Sequence, residues 1–122
     1  MISYDPLGYS SLQTVVETPT FIRRADRLLS DEEHAALIVW LASHPESGDE
    51  IVGTGGVRKA RFGAMGRGKS GGVRVIYYFY DRDMPIYALL IYGKNERADL
   101  TPDERKSAAA FAAAIKATRK GK

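Results

Sequence analysis

The sequence predicts an α+β domain, with two N-terminal helices packed on a small twisted antiparallel sheet and a further helix at the C-terminal end. Three observations carry this. Ser30-Asp31-Glu32-Glu33 and Thr101-Pro102-Asp103-Glu104 are capping boxes, each opening a run with helical spacing of apolar residues. Residues 73–80 and 86–92 are rich in β-branched and aromatic side chains and flank Asp81-Arg82-Asp83, which reads as a hairpin. The chain is 122 residues long, enough for one domain with its own core and no need of a disulfide or a structural metal.

In chain order, residues 1–13 are weakly patterned and read as an N-terminal extension ahead of a single domain spanning 14–122. Residues 14–17 predict a short first strand. Thr18-Pro19 is an N-cap followed by proline at the first helical position, and Phe21, Ala25 and Leu28 space a helix to about Leu29. The second helix runs from the Ser30 box through Leu37, Trp40 and Leu41 and stops near His44-Pro45, because a residue preceding proline resists the α region. Together these two helices predict a hairpin covering a sheet. Ile51-Val52 suggests a brief strand, and 57–62 a longer one on which Val57, Lys59 and Arg61 share one face while Arg58, Ala60 and Phe62 share the other. Residues 63–72 read as a glycine-rich loop. The alanine-rich run 107–117 has high helix propensity, with Phe111 and Ile115 marking its apolar stripe.

Composition narrows the function classes. With no cysteine, disulfides, thiolate metal sites and cysteine nucleophiles are excluded. No apolar run is long enough for a bilayer, and no basic-plus-apolar leader is present, so a cytoplasmic protein without a membrane partner is expected. The net charge of +3 is modest, but it is unevenly placed. Between Gly53 and Tyr80 lie Arg58, Lys59, Arg61, Arg67, Lys69 and Arg74 with no Asp or Glu among them. Unopposed positive charge on glycine-punctuated backbone is the footprint of a phosphate-binding surface.

Within that stretch, residues 63–70 match the phosphate-loop pattern G-x-x-x-x-G-K-S. The chemistry of that pattern requires a helix starting at the Lys-Ser, and here Gly71-Gly72 and a strong strand follow. Nucleotide hydrolysis is therefore set aside. Lys59 and Arg61 on one strand and Arg74 on its expected neighbour are placed to converge, since neighbouring strands stand about 5 Å apart. Such a cluster can hold a scissile phosphate and stabilise its charge during transfer. It is equally compatible with an ordinary exposed basic strand whose stems cover apolar surface. Tyr77, Tyr78, Tyr80, Tyr87 and Tyr92 either stack on bases or pack at the sheet, and strand preference favours packing. Trp40 reads as a packing anchor, and His34 and His44 have no metal-ligand spacing.

Beyond these local readings, residues 17–104 resemble the RelE/ParE superfamily of type II toxin–antitoxin toxins, and within it the HigB-like branch. The resemblance is carried by Glu17-Thr18-Pro19-Thr20-Phe21 and by 41–49, LASHPESGD. It continues through 53–61, GTGGVRKAR, and 66–78, GRGKSGGVRVIYY, and ends in Gly93-Lys94-Asn95-Glu96 and Asp99-Leu100-Thr101-Pro102. It implies a RelE-like fold and ribosome-dependent cleavage of A-site mRNA, with the 2′-hydroxyl attacking the adjacent phosphate and with neither metal nor cofactor. The implied partners are the 70S ribosome, its mRNA and a small antitoxin, in this branch a helix-turn-helix DNA-binding protein.

By position, the resemblance implies that Lys59, Arg61, Arg74 and Lys94 are catalytic, and that Arg58, Arg67 and Lys69 contact RNA. One departure stands out. The best-known member has a tyrosine base beyond the last strand, and residues 95–101 here contain none. A lysine of the cluster, its proton affinity lowered by cationic neighbours, is the expected base. Two other readings stay open: a ParE-like inhibitor of DNA gyrase, and an inactive RNA-binding module on the same fold.

Overall fold

The computed structural model describes residues 12–63 and 72–120. Eight elements follow one another: β1 (Val15–Glu17), α1 (Pro19–Leu28), α2 (Asp31–Ser43), β2 (Asp49–Glu50), β3 (Val57–Phe62), β4 (Val73–Tyr78), β5 (Ile86–Gly93) and α3 (Pro102–Lys120). The strands form one sheet in the order β1-β5-β4-β3-β2. The α+β class is as expected, with one difference in the sheet. β2 to β5 pair antiparallel, but β1 lies parallel to β5, Val16 opposite Tyr87. A parallel neighbour needs a long crossover. Everything from α1 to β4 supplies it, returning the chain to the edge from which it started.

Each predicted helix start is made by its cap. The Thr18 hydroxyl accepts from the Phe21 N–H at 3.1 Å, with Pro19 in the first turn. Ser30 accepts from the Glu33 N–H at 3.1 Å, and Glu33 reaches back to the Ser30 N–H at 2.8 Å. Thr101 and Glu104 repeat the arrangement at 3.1 and 2.9 Å. Replacing Ser30 with alanine leaves one N–H unpaired at the start of α2. A loss of about 1 kcal/mol in stability is expected, read as a lower urea midpoint at unchanged slope.

Both faces of the sheet are covered. On one, α1 and α2 lay Phe21, Ala25, Leu37 and Leu41 against Ala60, Val75, Tyr77, Ala88 and Ile91. On the other, Ala108 and Ala112 of α3 pack with Val57, Ile76, Tyr78, Leu90 and Tyr92. β4 is therefore central and apolar at every position but Arg74. Between Ile76 and Tyr77 the pairing with β5 shifts, Ile76 facing Leu90 and Tyr77 facing Ala88. Such a bulge adds local twist to the sheet.

The brief strand predicted at Ile51-Val52 lies two residues earlier, at Asp49–Glu50. Ile51 still donates its N–H to the Val57 carbonyl at 2.8 Å, and the buried Thr54 closes the turn by donating to Ile51 O at 2.7 Å. Gly48 is required just before β2. A Cβ there would stand 2.9 Å from both the Lys59 carbonyl and the Tyr77 hydroxyl. The Gly48 N–H donates to that hydroxyl at 2.9 Å, which satisfies the polar end of a fully buried tyrosine.

Candidate nucleic-acid interface

The period of two along a strand decides which cations meet. On β3, Val57 belongs to the α3 side and Ala60 to the α1–α2 side. Lys59 and Arg61 therefore project with Val57, and Arg58 projects with Ala60. Arg61 pairs directly with Arg74 across β3 and β4, and Arg74 pairs with Tyr92 on β5. Like charges placed directly opposite one another in a sheet are destabilising. The pair lies next to the end of both strands with Arg61 exposed, where a bound anion would offset that cost.

Lys59, Arg61 and Arg74 line one cleft of about 560 Å³, together with Asp49, Ser47, Trp40 and Ala98. The convergence expected of these three is thus present. Their surroundings differ from expectation in one respect. The Lys59 ammonium has a carboxylate beside it, Asp99 Oδ1 at 3.6 Å, where the sequence reading placed cations. Asp99 also faces Arg105 at 3.7 Å. The hydrogen bond from the Leu100 N–H, with Lys59 and Arg105 alongside, holds the Asp99 carboxyl below the usual carboxylate range.

The remaining expected site residues lie elsewhere. Arg58 is on the opposite face, where it donates to the carbonyls of Glu46 at 3.1 Å and Gly48 at 2.7 Å and pairs with Glu50 at 3.5 Å. It fastens the segment after α2, and the structure does not bring it to the cleft. Lys94 is exposed just past β5, its N–H donating to the Gly72 carbonyl at 3.2 Å, and it does not line the cleft. Arg67 and Lys69 lie outside the described residues.

Sequence reasoning missed the segment that roofs one end of the site. Arg97 stands 4.7 Å over the ring of Tyr92 and bonds Glu104 at 2.5 Å, so it ties the segment after β5 to the start of α3. Glu96 is held by the Gly93 N–H and by Arg24 of α1. The signal was the mixed charge of residues 94–105, whose partners are fixed only by the fold.

The same ion pairs predict a pH response. The Gly93 N–H, aided by Arg24, lowers the Glu96 carboxyl. Burial pushes Glu104 up, but bonds from Arg97 and from the Thr101 N–H outweigh it and hold the group low. A carboxyl lowered on folding stabilises the fold above its unfolded value, and that contribution is lost as pH falls through the folded value. Amide exchange in residues 94–105 is therefore expected to accelerate below about pH 4, ahead of the amides in α2. Equal acceleration in both places would contradict this.

The family model described as RelE toxin of the RelE / RelB toxin-antitoxin system matches residues 16–122. The chain belongs to the RelE toxin family. Among solved structures, this RelE-family toxin is similar to the E. coli toxin RelE, determined as a double arginine-to-alanine mutant in the free state. The match has a TM-score of 0.52 at 17% identity, over 82% of this chain and 96% of that one. At that identity the likeness is one of fold. Membership makes this protein the toxin of a toxin–antitoxin system, with a cognate antitoxin as partner. Among the described residues, no helix of this RelE-family toxin is long and apolar enough to cross a membrane.

Proposed function

We propose that the toxin is an endoribonuclease that cleaves mRNA in the ribosomal A site and so arrests translation in the cytoplasm. The observation that carries this reading is the convergence of Lys59, Arg61 and Arg74 on one open cleft, with Arg61 and Arg74 directly opposed across the strands. Two guanidinium groups side by side suit the oxygens of a single phosphate, because each presents planar paired donors. In transesterification the 2′-oxygen attacks the adjacent phosphorus, the bond to the 5′-oxygen breaks, and a 2′,3′-cyclic phosphate and a 5′-hydroxyl remain. Charge builds on the non-bridging oxygens as this happens, and fixed cations there lower the barrier. Lys59 is the proton-transfer candidate, with Asp99 beside it. Lys94, just past β5, and Arg67 and Lys69, between β3 and β4 in the sequence, would hold the message or ribosomal RNA. The glycine-basic motif supports placing the toxin in the HigB-like branch, with a helix-turn-helix antitoxin.

The test is induced expression followed by primer extension on a reporter message. Growth arrest with discrete new ends inside codons supports the ribonuclease reading. Arrest without new ends would move the target to DNA gyrase or elsewhere.

A further inference from the structure

One carboxylate is fixed against the cations of the cleft. Ala98 lines the cleft with Lys59, Arg61 and Arg74, and Asp99 follows it in the segment between β5 and α3. The Tyr92 hydroxyl donates to the Ala98 carbonyl at 3.4 Å, and Tyr92 lies directly opposite Arg74 across β4 and β5. That bond keeps the segment beside the cations. Burial raises the Tyr92 phenol, with Asp99 adding to the rise and Arg97 and Arg74 opposing it. One hydroxyl therefore lies within range of both Asp99 and Arg74. The Asp99 Oδ1 accepts from the Leu100 N–H at 2.8 Å and stands 3.6 Å from the Lys59 ammonium, while its Oδ2 stands 3.7 Å from Arg105 of α3. The side chain is half-exposed, so a molecule bound in the cleft can reach it.

Transesterification needs one group to take the 2′-hydroxyl proton and another to give a proton to the departing 5′-oxygen. Guanidinium groups do neither, since they have no acceptor and keep their protons. An ammonium donates but has no lone pair, so the acceptor is another kind of side chain. Residues 64–71 bring Arg67 and Lys69 and, by their sequence, no Asp, Glu, His or Tyr. The two histidines are engaged elsewhere, His34 with Glu17 of β1 at 2.5 Å and His44 stacked on Trp40 at the end of α2. Among the described residues, two carboxylates stand beside Lys59: Asp49, opposite it across β2 and β3, and Asp99. Asp49 lies on a two-residue edge strand, whereas Asp99 is fixed by a backbone N–H and ion-paired to Lys59 and Arg105.

We propose that Asp99 and Lys59 are the acid–base pair of the cleft, Asp99 taking the 2′-hydroxyl proton and Lys59 supplying the proton to the 5′-oxygen. The proposal rests on the ribonuclease reading. As the 2′-oxygen bonds to phosphorus, its proton passes to the Asp99 carboxylate. As the bond from phosphorus to the 5′-oxygen breaks, a proton passes from the Lys59 ammonium to that oxygen. The carboxylic acid and the neutral amine left behind are neighbours, so the proton crosses from Asp99 to Lys59 and both return to their starting charge. The lysine expected from the sequence to be the base becomes the acid, and a carboxylate fills the place where residues 95–101 lack a tyrosine. A carboxyl held low is ionised throughout the neutral range but is a weak acceptor. Its loss is therefore expected to slow cleavage about a hundredfold, the lower end of what a general base supplies.

The experiment follows single-turnover cleavage of ribosome-bound message between about pH 5.5 and 8. Binding is measured separately, with the same message carrying a 2′-deoxy nucleotide at the cleaved position, which the toxin holds but cannot cut. Lys59, Arg105 and Tyr92 face Asp99 from β3, α3 and β5, and the carboxyl they surround is already ionised in this range, so wild-type cleavage is expected to stay level. Asparagine keeps an oxygen for the Leu100 N–H but takes no proton. Asp99→Asn is expected to bind the deoxy message at least as well as wild type, to cut about a hundredfold slower, and to gain speed about tenfold per pH unit as hydroxide replaces the base. Asp99→Glu is expected to recover part of the rate and the level profile, and it decides the matter if Asp99→Asn cuts too slowly to follow. A level profile in Asp99→Asn, no recovery in Asp99→Glu, or the slope appearing in Asp49→Asn instead, overturns the pair and leaves the ribonuclease reading standing. A wild-type limb near pH 6–7, the mark of a histidine, does the same. Loss of deoxy-message binding in both Asp99 variants makes the residue structural and also overturns the pair. Failure of the wild type to cut any message overturns the ribonuclease reading itself.

Discussion

Arg74→Ala is expected to abolish the new message ends and to release growth arrest, with cleavage falling by about two orders of magnitude or more. Arg74 pairs with Arg61 on one side and with the buried Tyr92 on the other, so it stands where the cation cluster meets the core. Removing it takes a charge from the one cross-strand pair of guanidinium groups among the described residues. Arg74→Lys is expected to recover little, because an ammonium cannot offer the planar double donor. The fold is expected to survive. Arg74 belongs to neither hydrophobic cluster, so its loss should move the unfolding free energy by about 1 kcal/mol or less. A variant with wild-type unfolding and no message ends would separate the site from the scaffold. A variant as active as wild type would remove Arg74 from the chemistry.

Phe21→Ala is expected to produce the same loss of arrest by the opposite route. Phe21 is fully buried beneath α1, in the cluster that joins both N-terminal helices to the sheet. Its ring also tilts against His34, which bonds Glu17 of β1 at 2.5 Å. Truncating a buried phenylalanine to alanine costs about 3–5 kcal/mol through lost burial and the cavity left behind. Domains of this size are stable by only about 5–15 kcal/mol, so the loss is a large share of the margin. Chemical denaturation should show a large fall in midpoint. Any variant protein that remains folded should bind nucleotide as the wild type does, because Phe21 does not line the cleft.

Local physics made much of this legible from the letters. Ser30-Glu33 and Thr101-Glu104 are capping boxes whose every bond is within three residues, so neighbours alone determine them. The alternation Val57, Arg58, Lys59, Ala60, Arg61 sorted the cations correctly onto two faces, because one face has to be buried. Of the phosphate-loop pattern only Gly63 is among the described residues, and β4 begins at Val73, consistent with the strand read there.

What stayed hidden depends on distant partners. The parallel seat of β1 beside β5 is settled by packing between segments about seventy residues apart. Arg58 looked like a ligand contact because the carbonyls that capture it, from Glu46 and Gly48, carry no side-chain signature. Asp99 could be matched to Lys59 only after β5 and α3 had positioned the segment between them. The place of Asp49 opposite Lys59 likewise emerged only with the pairing of β2 and β3.

The position of Arg74 between Val73 and Val75, both buried, has a consequence for when this protein can do harm. A slip of one residue in β4 would turn Arg74 into the apolar layer beneath α1 and α2 and turn valine outward. The charge cluster and the core therefore share one alignment, and neither can be assembled without the other. A nascent or partly folded chain cannot present Arg61 and Arg74 side by side. Under the proposed function, toxicity is then coupled to completion of the domain, and an antitoxin need contend only with the finished molecule.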